Sequence, residues 1–418
     1  MQDFLTWKLT PETLTKKILF VMKTNMAAFK KTKKNSERKR TSKRLDGSGS
    51  SLKIEKITKK TIKRVGAEIR PRKNTRKVRK VSVLDLQRSN KNPIIEPNAE
   101  SYWESKATFN PTALEHDGKV HIIYRAIGDT DNSVLGYVKS SDGHSIEKDS
   151  KKLAYYHKNI QPVSKMATHI NYCSGGGWGG GCEDPRLTLL GDKVYMIYTA
   201  FDGWGSVRMA LTSISLDDFV SKHFDWKRPV LISPPHQIHK NWVLFPEKIN
   251  GKYAVLHSIS PKIMIDYFKS LDELDGNNFI YSVHQASPLW QTRDRLVRGV
   301  GPSPLKTPYG WLVLYHKMDK HENHRYKLWA MILDAKDPTK ILYNSHQAIL
   351  EPDEWYENEG YKGGVVYSCG AVVKDGQLFV YYGGADKVSC VATTNLDKFL
   401  EELIHSKMSS LKNKKMVK

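Results

Sequence analysis

One pattern recurs five times along this 418-residue chain and limits its fold more than any other feature. Asp117-Gly118, Gly191-Asp192, Asn250-Gly251, Tyr309-Gly310 and Asp375-Gly376 each open a run rich in Val, Ile, Leu and Tyr. The runs close at Tyr124-Arg125, Tyr198-Thr199, His257-Ser258, Tyr315-His316 and Tyr382-Gly383. Each reads as a hairpin, because Gly, Asn and Asp tolerate the positive φ of a tight turn and the apolar runs suit strands buried on both faces. A second short strand precedes each turn, opening at Asn110-Pro111, Asp184-Pro185, Phe245-Pro246, Gly301-Pro302 and Cys369-Gly370. Pro111, Pro185 and Pro302 each lie 13 residues before a tyrosine, Tyr124, Tyr198 and Tyr315. Proline is tolerated where a strand opens, since the first residue need not donate to the ladder.

The copies repeat at intervals of 58 to 74 residues, enough for a four-stranded sheet with its loops. Helical periodicity is nearly absent before Leu396. The expected fold is therefore all-β, a five-bladed β-propeller. Its innermost strands would surround one axis and bring Asn110, Asp184, Glu247, Ser303 and Ser368 to a common mouth.

The formal charge of +23 suggests a nucleic-acid binder until its distribution is considered. Residues 1–90 hold 27 Lys and Arg against 7 Asp and Glu, leaving an ordinary 40 against 37 for the rest. Lys30-Lys31, Arg38-Lys39-Arg40 and Arg72-Lys73 belong to basic runs with too few apolar neighbours to repay chain ordering. Residues 1–85 are thus expected to form a disordered basic tail, 86–405 the catalytic propeller, and 406–418 a basic C-terminal extension. The tail reads either as a solubilising extension or as a contact for nucleic acid or another anionic surface. Ile18-Leu19-Phe20-Val21-Met22 is too short for a transmembrane segment, so the expected location is cytoplasmic, or nuclear through the tail. Four cysteines, Cys173, Cys182, Cys369 and Cys390, show no metal-ligand spacing and read as reduced thiols.

The segment 175–186 carries a glycine-rich loop that delivers Glu183-Asp184 to the second inner strand. No Gly-Lys-Ser/Thr follows, so it is not a phosphate-binding P-loop. A purely structural reading has Asp184 pairing with Arg186.

Asn110-Pro111 with Tyr124-Arg125, Glu183-Asp184-Pro185-Arg186, Phe245-Pro246-Glu247-Lys248-Ile249, Gly310-Trp311 with Tyr315-His316, and Tyr381-Tyr382-Gly383-Gly384-Ala385-Asp386 stand in an order that resembles glycoside hydrolase family 130. The resemblance covers about residues 90–400. It implies a carbohydrate-active enzyme that cleaves β-mannosidic bonds with inversion, most often by phosphorolysis to mannose 1-phosphate. Asp184 would be the acid, its proton travelling through a sugar hydroxyl. Asn110, Arg125 and Asp386 would contact sugar, joined by Glu183, Tyr124 and Trp178. Inorganic phosphate would be the co-substrate, with no cofactor or metal, held by Arg186, Arg208, Lys248 and His316, with Arg298 behind them. His257-Ser258 and His316-Lys317 depart from the family's His-Arg-Pro and His-Gly. Hydrolysis under a base such as Glu359, Asp266 or Asp386 therefore stays open, as does a non-catalytic glycan-binding propeller. Invertases and arabinanases share the acidic residue before Asp-Pro but need an aspartate where this chain has Asn110.

Overall fold

The computed structural model describes residues 84–157, 180–201, 207–322 and 324–415, the last ten as backbone only. All fall within one compact unit, Arg79–Lys418. The basic tail through residue 83, Trp178 and Cys173 lie outside the described residues.

The chain is mostly β. β1 (Gln87–Arg88) is followed by β2 (Ala107–His116), β3 (Lys119–Ile127), β4 (Asn132–Ser140) and β5 (Lys152–Tyr155), the last four forming a first antiparallel group. β6 (Gly180–Leu190), β7 (Lys193–Phe201), β8 (Val207–Ser215) and β9 (Val230–Leu231) form a second. Parallel pairing of Asn132 with Gly180 and of Ser133 with Gly181 joins the two. The third group is β10 (Val243–Leu244), β11 (Tyr253–Ser258) and β12 (Met264–Phe268). In the fourth, β13 (Val297–Val300) and β14 (Leu305–Thr307) both pair with β15 (Gly310–Lys317), which continues to β16 (Lys327–Leu333) and β17 (Ile341–Asn344). The fifth joins β18 (Val366–Lys374), β19 (Gln377–Gly384) and β20 (Val388–Asn395), and β1 completes its edge through Gln87 against Thr393.

All five turn signals fall between the strands of a hairpin, with Asp117, Asn250 and Asp375 at φ of 49, 51 and 51°. The apolar runs between them are buried on both faces. In β15, Leu312 and Leu314 pack toward the fifth group, whereas Trp311, Val313 and Tyr315 pack toward the third. This is the two-residue alternation of a strand, with each face given its own core. The same logic fills the remaining spaces, first to second, second to third, and fifth back to first. The last of these sets Val372, Phe379 and Tyr381 against Ile122, Tyr124 and Val138. Each such side chain contributes roughly 1.5–3 kcal/mol by leaving water.

The inner strands depart from expectation in the third and fourth groups. The strand expected at 245–249 is replaced by the two-residue β10, and Ile249 only bridges to Lys252. Pro246 removes a donor just where that strand would continue, and Pro302 and Pro304 likewise separate β13 from β14. Glu247 consequently lies at the surface, paired with Lys306 at 3.4 Å, and of the five residues expected at a common mouth only Asn110 and Asp184 line one cavity. Ser303 bonds Thr188 at 2.8 Å, and the Ser368 hydroxyl donates to the Tyr381 carbonyl at 2.8 Å.

β1 is clasped by an ion pair. Arg88 donates through Nε and Nη2 to the two oxygens of Glu357 at 2.8 and 2.9 Å. Glu357 is fully buried and also accepts from Tyr382 Oη at 2.7 Å. A helix, Leu396–Lys415, follows β20 and runs on across residue 406, where the C-terminal extension was expected to begin. Among the described residues no helix is long and apolar enough to cross a membrane.

Candidate active site

Three chain-distant side chains stand on left-handed backbone, reached in two ways. Asn110 and Asp184 stand at φ of 50 and 49°, each just before a proline. Each sits in a register shift, between Phe109 and Thr112 in β2 and between Glu183 and Arg186 in β6. A bulge leaves one residue unpaired and turns its side chain off the sheet, and a proline fits there because no ladder donor is needed. Asn and Asp are the non-glycine residues that best tolerate this left-handed backbone. Asp386 arrives by another route. It follows Ala385, at φ of 53 and 50°, in the two-residue turn between β19 and β20, closed by Lys387 N to Gly384 O at 2.9 Å. Two consecutive positive φ values identify a mirror-image hairpin turn.

Asn110 Nδ2 donates to Asp184 Oδ1 at 2.8 Å. Gly383 makes that approach possible, since a Cβ there would stand 2.3 Å from Asn110 Oδ1. Behind them lies Arg125, fully buried over the Phe109 ring. It donates to Ser133 Oγ and Glu183 Oε1, both at 2.9 Å, and to Asp184 Oδ1 at 3.4 Å. Lys240 reaches the other Glu183 oxygen at 3.3 Å.

These surroundings drive the two exposed-to-cavity carboxyls apart. Burial pushes Asp184 upward, but Arg125, Lys240 and Arg186 together with the Asn110 hydrogen bond hold it below the usual carboxylate range. Burial dominates at Asp386 and lifts it to about 6, with Asp184 adding to the rise and Lys362 and Arg125 opposing it. Paired titratable groups held apart in this way are a mark of acid–base chemistry.

Asn110, Asp184 and Asp386 line one cavity of about 230 Å³. Its walls come from the third and fourth groups and from the segment before β18. They present Lys240, His257, Trp290, Arg293, Arg298 and Lys362. Buried Oδ1 of Asn110 and Oδ2 of Asp386 have no hydrogen-bond partner, and neither does Nε of Arg298.

The four residues expected to hold phosphate lie elsewhere. Arg186 is buried beneath the floor, donating to Gly301 O at 3.0 Å, Asp184 O at 2.8 Å and Asn241 Oδ1 at 2.9 Å. Arg208 donates to Ser233 O and covers the Phe279 ring at 5.1 Å. Lys248 sits over the Tyr253 ring at 4.5 Å. His316 stacks on Tyr367 at 4.2 Å and accepts from Ser368 N at 2.9 Å, and burial lowers its pKa to about 3. None of the four is among the residues lining the cavity. Tyr124 is also set back, its hydroxyl donating to Glu104 at 2.6 Å. Glu183 and Arg125 act from behind Asp184. Of the three bases considered for hydrolysis, Asp386 lines the cavity, whereas Asp266 stands 3.7 Å from His257 Nε2.

The cavity's cations were not singled out as anion ligands in the sequence, apart from Arg298 in the family's wake. Lys240-Asn241 stands immediately before the apolar run that opens the third group, and Asn241, like Asp184, takes a positive φ, of 67°.

A mostly β fold with two buried carboxyls and an amide converging at the floor of a polar cavity has the construction of a glycoside-cleaving enzyme. The family model for glycoside hydrolase family 130, described as beta-1,4-mannooligosaccharide phosphorylase, matches residues 73–404, and the chain belongs to that family. It is 35% identical over 314 residues to a 1,2-beta-oligomannan phosphorylase of Thermoanaerobacter sp. (strain X514), covering 74% of this chain and 97% of that one. It is 32% identical to a beta-1,2-mannobiose phosphorylase of the same organism, covering 75% and 98%. Among solved structures, the beta-1,2-mannobiose phosphorylase of Listeria innocua in complex with beta-1,2-mannobiose superposes with a TM-score of 0.55 at 25% identity, covering 76% and 99%.

Proposed function

We propose that the five sheet groups close as a five-bladed β-propeller and that the chain cleaves β-mannosidic bonds by phosphorolysis, releasing mannose 1-phosphate. Ring closure is supported by the apolar cluster that packs the fifth group against the first. The phosphorylase reading rests on one observation: a floor of unpaired acceptors faces a wall of cations across a single cavity. Asn110 Oδ1 and Asp386 Oδ2 can satisfy sugar hydroxyls but repel an anion. Lys240, Arg298 and Lys362, with His257, suit phosphate.

In this reading the mannosyl ring sits on the floor. A phosphate oxygen attacks the anomeric carbon from the cationic side as the bond to the departing sugar breaks, which inverts the configuration. The departing oxygen takes its proton from a hydroxyl of the mannosyl ring, and that hydroxyl is restored by the proton of Asp184. Asp184 is held ionised in the empty cavity, so its proton has to come with substrate binding. Phosphate supplies the condition: an anion beside Lys240 offsets one of the cations that depress Asp184, and raises its affinity for a proton.

The test incubates the protein with β-1,2- and β-1,4-linked mannobiose, with and without phosphate. Mannose 1-phosphate formed only with phosphate is the expected result. Free mannose released at the same rate without phosphate would replace this reading with hydrolysis, for which Asp386, at about 6, is the suited base.

A further inference from the structure

Trp290 is a large aromatic side chain without a packing role in the fold. It stands on the short 3-10 helix Pro288–Thr292, in the connection between the third and fourth groups, and lines the cavity wall. It is half-buried and belongs to none of the hydrophobic clusters among the described residues. The Arg293 guanidinium lies 4.3 Å from its ring centroid, covering one face.

The segment is fixed although irregular. Trp290 N donates to Ser287 O at 2.9 Å, Thr292 Oγ1 to Leu289 O at 2.9 Å, and Asp294 N to Ser260 Oγ at 3.0 Å. Pro288 in the first turn limits the backbone further. A ring held in this way meets a ligand with little ordering left to do. The same cavity is lined by Ser258, Ser260 and Ser282, small polar groups whose hydroxyls are held by Ser260 O, Asp294 N and His257 O. A rigid aromatic plate among hydroxyls matches a sugar, which offers C–H bonds on one face and hydroxyls at its edge.

We propose that Trp290 is the stacking surface for the departing sugar, and that it makes the enzyme specific for a saccharide on the leaving side. The inference rests on the phosphorylase reading of the same cavity. With the mannosyl ring on the Asn110–Asp184–Asp386 floor, the sugar bonded to it must extend outward along a wall. The Lys240, Arg298 and Lys362 faces serve the anion, and the Trp290 face takes the sugar.

The experiment compares wild type with Trp290→Ala and Trp290→Phe in both directions, using β-1,2-mannobiose with phosphate and mannose 1-phosphate with mannose as acceptor. Loss of the plate is expected to raise KM for acceptor mannose about tenfold in Trp290→Ala and less than threefold in Trp290→Phe. KM for phosphate and for mannose 1-phosphate should stay at the wild-type values. An unchanged acceptor KM in Trp290→Ala, or an equal rise in phosphate KM, overturns the proposal. Should Trp290→Ala melt early, Trp290→Leu keeps bulk while dropping the aromatic face, and the same outcomes apply. Should wild type release no mannose 1-phosphate, the phosphorylase reading falls by itself. Calorimetric binding of β-1,2-mannobiose to Asp184→Asn then reads the plate directly. Weaker binding on adding Trp290→Ala supports it, and equal binding overturns it.

Discussion

The second and third sheet groups begin from similar sequences and end in different structures. β6 runs for 11 residues through Asp184-Pro185, while β10 keeps two residues before Phe245-Pro246 turns the chain away. In β6 the proline lies inside a bulge and the ladder resumes at Arg186 against Ile197. In the third group only an isolated bridge, Ile249 to Lys252, follows the proline. The difference divides the cavity by task. Its floor comes from bulges in two long strands and from a tight hairpin, which hold short side chains in one place. Its wall comes from irregular segments bearing long cationic side chains that reach to meet a ligand. Proton delivery tolerates little misplacement, whereas an anion clamp of several cations tolerates more.

If that division is correct, substitutions on the floor and wall should fail in different ways. The largest effect is expected at Asp184. Asp184→Asn should lower kcat at least about 1000-fold with an unaltered melting temperature, because it deletes the proton donor and keeps the shape. Turnover within a few-fold of wild type would remove the floor from the chemistry. Next comes the clasp that supports the floor from outside. Arg88→Ala leaves Glu357 buried without its cation and should cost about 3 kcal/mol in denaturant unfolding, with KM values unchanged in the folded fraction. On the wall, Lys240→Ala should raise KM for phosphate roughly 30-fold, about 2 kcal/mol, and leave mannobiose binding largely intact. Equal loss for both ligands would blur the line between floor and wall.

The smallest effect is one of pH. The folded-state pKa of Asp386 is raised from 3.8 to about 6, so the native protein binds the extra proton between those values and loses stability as pH rises through that window. Asp386→Asn removes the penalty. It should melt higher than wild type at pH 7.5 and match it near pH 3.5. An equal difference at both pH values would mean that the carboxyl is not the source.

The five hairpins were legible because each couples a turn residue able to take positive φ to an apolar run long enough for two cores. Asp184 was legible from Glu183-Asp184-Pro185-Arg186, and Asn110 from its proline. The proposed anion ligands were not, apart from Arg298. Arg186 is near Asp184 in sequence, yet the bulge between them turns the two side chains apart, and Arg186 bonds beneath the floor. Lys240, Arg298 and Lys362 come from three separate stretches at strand ends or in loops, where no periodicity records which way a side chain faces. Glu247 shows the converse: its repeat position promised the mouth, but Pro246 ended the strand that would have carried it there.

β1 and β20 are partners in one sheet although the pairing joins Gln87 to Thr393, across almost all of the described chain. A ribosome making this chain therefore releases the first strand of the fold long before its neighbour exists. The fifth group cannot be finished until nearly the whole polypeptide has emerged, and Asp386, at the hairpin tip of that group, reaches its place only then. A chain truncated just before β20 would retain the strands of its first four groups and lack a working catalytic floor.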